Sequence, residues 1–137
     1  MKTSMRACVR NAEGQFIIAM STHINAVMTP TEAEAWALQQ GILWMAMLGY
    51  RKVIFELDCK TVVDDINSSK DNHSKGLLIV ECKSMLFTHS NYVVTFTMRQ
   101  TNGNSHALAR AALSHASRTT LDYILICIAT LIMIEIP

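Results

Sequence analysis

Tyr123 to Ile134 (YILICIATLIMI) is an unbroken run of twelve largely apolar residues, and it restricts the possible fold more than any other segment. A helix that crosses a bilayer needs ~20 such residues. A shorter run of this character is expected inside a core, and its length and Ile/Leu content also suit a strand. The chain can supply that core. Its 137 residues fit one domain, half of them are hydrophobic, and only 17% are charged, far from the polar profile of a disordered chain.

Twelve basic residues against eleven acidic ones leave a formal charge of +1. No overall field therefore drives the protein onto a polyanion, and any such binding must come from a local patch. Cys8, Cys59, Cys82 and Cys127 are scattered without a C-x-x-C pair, which argues against a zinc site and for reduced thiols. The opening MKTSMRACVRNAEGQ lacks the apolar stretch of a secretion signal. The expectation is an intracellular protein, nuclear or cytoplasmic.

Residues 5–10 and 15–20 flank Asn11-Ala12-Glu13-Gly14, a turn signal that predicts a β-hairpin. Thr29-Pro30-Thr31-Glu32 carries the capping-box spacing with proline at the first helical position, and the predicted helix runs to Gly49. Lys52 to Asp58 (KVIFELD) alternates Val53, Phe55 and Leu57 against Ile54, Glu56 and Asp58, as a strand does. Helices are predicted from Lys60 to Ile66, Lys75 to Leu86 and Asn102 to Ala116, with a strand from Asn91 to Met98. This order defines an α/β fold, a mixed sheet with helices on its faces.

Two carboxylates stand out. Glu34 shares a helical line with Leu38, Gly41, Ile42 and Met45, so it either faces the sheet or stays half exposed in a first turn where the helix dipole favours it. Asp58 ends a strand, where it either joins a functional site or caps the following helix. Brought together, the two would repel unless a cation lay between them, and oxygen donors of this kind suit Mg²⁺ or Mn²⁺.

Ala33-Glu34-Ala35-Trp36-Ala37-Leu38, then Glu56-Leu57-Asp58, then Phe96 to Arg110 (FTMRQTNGNSHALAR) follow one another in the order and spacing of a known pattern. The sequence resembles the ribonuclease H-like (type 1) domain of plant non-LTR retroelement reverse transcriptases, from about Ala7 to the end of the chain. That family is typified by A-E-A-x-A-L on a helix, E-x-D at a strand end and a later F-x-x-R-x-x-N-x-x-[AC]-[HD]-x-L-A-R. The resemblance implies endonucleolytic, metal-dependent hydrolysis of the RNA strand of an RNA–DNA hybrid. It implies catalytic roles for Glu34, Asp58 and His106, with Glu34 and Asp58 as ligands of Mg²⁺ or Mn²⁺. At His106 the alternative is a solvated first-turn histidine. Arg99, Asn102 and Lys60 are expected contacts to the nucleic-acid backbone.

One part of the pattern is absent. The family's domain opens with a strand bearing D-G-A or D-A-A, which lies in the middle of a five-stranded sheet and supplies a bridging aspartate. No residue before Arg6 is acidic. The expectation is a truncated domain over residues 1–118 and an apolar tail over 119–137, with nuclease activity weakened or lost. A sheet without its middle strand leaves buried backbone groups unpaired at ~1–3 kcal/mol each, against a total stability of ~5–15 kcal/mol. The apolar run, strand-compatible in length and composition, is one segment able to fill that gap, and a truncated gene model or a decayed retroelement copy is the alternative account. A non-catalytic structural or interaction module, self-associating through the apolar tail, is the alternative reading.

Overall fold

In the computed structural model, which describes residues 2–69, 76–98 and 123–133, the apolar run is the middle strand of a five-stranded sheet. The elements are β1 (Lys2–Arg10), β2 (Phe16–Ile24), α1 (Pro30–Met47), β3 (Val53–Leu57), α2 (Lys60–Asn67), α3 (Leu77–Phe87), β4 (Tyr92–Phe96) and β5 (Ile124–Met133). They order across the sheet as β2-β1-β5-β3-β4. β5 runs antiparallel to β1, from Arg10↔Leu125 to Lys2↔Met133. It runs parallel to β3, from Val53↔Ile124 to Glu56↔Cys127. The gap expected at the centre of the sheet is thus filled from within the chain, and both edges of the apolar run pair internally.

The hairpin forms where its turn residues lie. The Asn11 Oδ1 accepts from the backbone N–H groups of Glu13 and Gln15, at 3.0 and 2.9 Å, the local bonding that makes Asn a turn residue. Both strands extend beyond the predicted ends. β1 begins at Lys2 because Lys2 to Ser4 pair with Met133 to Leu131, a long-range partnership that local sequence does not display.

α1 starts and stops where its caps dictate. The Thr29 hydroxyl accepts from the Glu32 N–H at 3.2 Å, and Pro30 follows it. At the other end Gly49 has φ of 84°. This left-handed conformation, easy only for glycine, lets Gly49 N–H donate to Ala46 O and Tyr50 N–H donate to Met45 O at 3.0 and 3.1 Å, a Schellman cap. α3 begins at Leu77, two residues later than expected, behind Gly76 with φ of 102°. The helix predicted over Asn102 to Ala116 lies outside the described residues.

Strand alternation sorts the sheet into two faces. Met5, Ala7, Val9, Val53, Phe55, Leu57, Ile126 and Ile128 join the helices in one buried cluster. Ile54 and Leu125, of opposite parity, are buried outside that cluster. Gln39 Nε2 donates to Glu81 Oε2 at 2.8 Å and ties α1 to α3, while Asn67 Nδ2 donates to Val94 O at 3.0 Å and ties α2 to β4.

α1 lies close on β5 because residue 41 has no side chain. A Cβ built on Gly41 would stand 2.8 Å from Ile128 Cδ1 and 3.7 Å from Ile126 Cδ1. Burying an Ile side chain contributes about 1.5–3 kcal/mol, so the seating of Ile126 and Ile128 beneath this glycine is a substantial fraction of the domain's stability. Two outcomes are expected. Gly41→Val overpacks the contact and lowers the unfolding free energy by ~1–3 kcal/mol in urea titration. Deleting Tyr123 to Pro137 removes the middle strand and abolishes the cooperative unfolding transition followed by circular dichroism.

Candidate functional site

Glu34 is the fifth residue of α1, just past the first turn in which Glu32 is the acidic residue, and is only 3% exposed, on a buried stripe with Leu38, Gly41, Ile42 and Met45. The half-exposed alternative is thereby excluded. α1 packs against β5, β3 and β1, and its sheetward stripe carries this carboxylate in with it. A buried carboxylate is costly unless hydrogen bonds or a cation compensate it.

Asp58 follows the last residue of β3. It is not the cap of α2, because the N-cap position falls one residue later on Cys59, which makes no side-chain cap bond. Asp58 instead lines a cleft of about 500 Å³ that also contains Arg6, Cys8, Glu56, Thr97 and Cys127. Thr97 N–H donates to Leu57 O at 2.8 Å, carrying the β3–β4 pairing one step past β4 and setting Thr97 near Asp58.

Glu56 is a member of the cleft that pattern reading left as a motif letter. Strand alternation puts Glu56 on the side of β3 opposite Phe55 and Leu57, and Glu56 is only 1% exposed. Its Oε2 accepts a hydrogen bond from Cys127 Sγ at 3.2 Å. Burial pushes the Cys127 thiol well above its ordinary range, with the charge and hydrogen bond of Glu56 and the neighbouring Cys8 adding to the effect and Arg10 opposing it. The strand alternation could have revealed Glu56; the neighbour on β5 is visible only in the fold.

The expected site residues therefore divide. The structure groups Asp58 with Glu56, and Glu34 enters from the helix side without lining that cleft. His106, Arg99 and Asn102 lie outside the described residues. Among the described residues, no three His, Cys, Asp or Glu side chains gather as a metal-holding group. The donors available divide by chemistry: the oxygens of Glu34 and Asp58 fit Mg²⁺ or Mn²⁺, whereas the Cys127 thiol beside Glu56 does not. Lys60 opens α2 and forms an exposed pair with Asp64 at 2.9 Å. Among the described residues, no helix is long and apolar enough to cross a membrane.

The mixed five-stranded sheet with its helices defines a ribonuclease H-like domain. The same architecture occurs in the crystal structure of RNase H1 from the halophilic archaeon Halobacterium salinarum NRC-1, with a TM-score of 0.62 and 20% sequence identity over 82% of this chain and 86% of that one. Residues 1–112 match the reverse transcriptase-like family, and the chain belongs to it. No curated protein sequence matches the chain.

The Lys60–Asp64 pair spans one helical turn with both side chains more than 60% exposed, a geometry worth at most about 0.5 kcal/mol after solvent screening. Lys60→Ala is accordingly expected to leave the thermal midpoint within about 2 °C of wild type in a differential scanning measurement.

Proposed function

We propose that the protein is a nucleic-acid-binding domain that recognises RNA–DNA hybrids, with metal-dependent cleavage of the RNA strand weak or lost. The reading is carried by one observation: within a ribonuclease H-like sheet, a buried glutamate on the sheetward face of α1 and an aspartate at the end of β3 occupy the two positions that the sequence motifs assign to metal ligands. Glu34 and Asp58 would hold Mg²⁺ or Mn²⁺, with His106 completing the set. A cation bound there supplies charge stabilisation to a phosphodiester and lowers the pKa of attacking water.

The protein's own groups have definite tasks in this reading. Burial fixes the rotamer of Glu34 and leaves it little freedom to lose on binding a ligand. Asp58, set by the fully buried β3, presents its carboxylate in the cleft. Lys60, two residues on and 69% exposed, would meet phosphate, together with Arg99 and Asn102 of the motif. Recognition then rests on backbone shape and 2′-hydroxyls rather than base edges.

Weak or lost hydrolysis is supported by the middle strand. β5 reads ILICIATLIM and contains no acidic residue, whereas the family pattern places an aspartate on its middle strand. A set reduced to Glu34, Asp58 and His106 has fewer negative charges with which to hold two cations.

A fluorescently labelled RNA–DNA hybrid is expected to bind wild-type protein more tightly than the matching DNA duplex in anisotropy titrations with Mg²⁺, and Lys60→Ala weakens that binding severalfold. Any RNA cleavage with Mg²⁺ or Mn²⁺ falls at least tenfold in Asp58→Asn. Equal affinity for hybrid and duplex would remove hybrid recognition, and cleavage undiminished in Asp58→Asn would remove the assigned site.

A further inference from the structure

Cys8 of β1 and Cys127 of β5 are direct partners across the antiparallel ladder. Directly opposed residues share a face, and both line the cleft. Such partners have Cα atoms about 4.5–5.5 Å apart, inside the roughly 4.4–6.8 Å that a disulfide spans. Neither is sealed in the core: both are partly exposed, unlike Cys82, which is buried and donates its thiol to Ala35 O at 3.3 Å. Cys59 lies at the start of α2 and has no cysteine opposite it.

We propose that Cys8 and Cys127 form a reversible redox pair whose disulfide ties the middle strand of the sheet to β1. The oxidant is a low-molecular-weight disulfide, of which oxidised glutathione is the usual intracellular representative. The Cys8 thiolate attacks one sulfur of that disulfide, forming a mixed disulfide and releasing one small thiol. Cys127 then attacks the Cys8 sulfur, forming the Cys8–Cys127 bond and releasing the second. Two protein thiols and one small disulfide become one protein disulfide and two small thiols, and the proton of Cys127 ends on the departing thiolate.

The two sulfurs have unequal parts in this exchange. Burial and the carboxylate of Glu56, which accepts the Cys127 S–H at 3.2 Å, hold Cys127 protonated, so Cys8 is the sulfur that meets the oxidant. The closing step needs the Cys127 thiolate and accelerates as pH rises. Reduction reverses the bond. The bond joins residues far apart in sequence, and a link closing so long a loop restricts the unfolded chain strongly.

The full chain is incubated with oxidised glutathione at pH 8, quenched with iodoacetamide and digested without reductant for mass spectrometry. Alkylatable thiols are expected to fall from four to two, with one linked peptide joining Cys8 to Cys127. The thermal midpoint rises, returns to its starting value with dithiothreitol, and does not rise in Cys8→Ser. Retention of four thiols, stable glutathione adducts on single cysteines, or a link involving Cys59 or Cys82 would each overturn the proposal. Because the peptide map is read on the wild-type chain, the result stands even if a serine variant folds poorly.

Discussion

The backbone hydrogen bonds that seat β5 between β1 and β3 are the interaction on which the rest of the structure depends. They join an antiparallel half of the sheet, β2 and β1, to a parallel half, β3 and β4. Without them each half would end in a row of buried N–H and C=O groups, a loss that domain stability does not absorb. The same strand carries Ile126 and Ile128 beneath Gly41, so the ladder and the helix layer are fixed together. An apolar segment that looks like an appendage in the sequence is in this respect the keystone of the core.

The functional chemistry inherits its geometry from that arrangement. Phe55 and Leu57 anchor β3 in the helix-side core, which obliges Glu56 to face the opposite side, where β5 brings Cys127, and Asp58 follows where the chain leaves the strand. Glu34 comes from the other layer, carried toward the sheet by the face of α1 that also holds Leu38, Ile42 and Met45. Glu34 and Glu56 are each flanked in their own element by buried hydrophobics. The cost of burying charge is offset by the packing of its neighbours.

Much of this was legible in the letters. The capped start of α1, the turn at Asn11 to Gly14 and the alternation in KVIFELD follow from local rules of spacing and capping, and the structure agrees with them; spacing leaves Glu34 open between a sheetward and a half-exposed place, and the packing of α1 decides it. The compensating role of the apolar run was inferable from its composition and from the vacancy that the family pattern leaves. Its partners and register were not. A strand rich in Ile and Leu carries little information about which edges it will join, because every alternative pairing buries similar side chains. Asp58 shows the same limit on a smaller scale. Cys59 is one residue and Asp58 two residues from the start of α2, and the cap position falls on Cys59 although propensity favours Asp there. Glu56 stayed in the background because its burial depends on the neighbouring strand.

The position of β5 in the chain has a consequence for how the molecule comes into being. On a ribosome, β1 to β4 emerge first, and the two halves of the sheet wait with facing edges open until the strand that reconciles them has been synthesised. Contacts of such large sequence separation make for slow folding, and open edges invite pairing with other nascent chains in the interval. Translation speed and chaperone occupancy through residues 97–123 would then govern the yield of this fold as much as its final stability does.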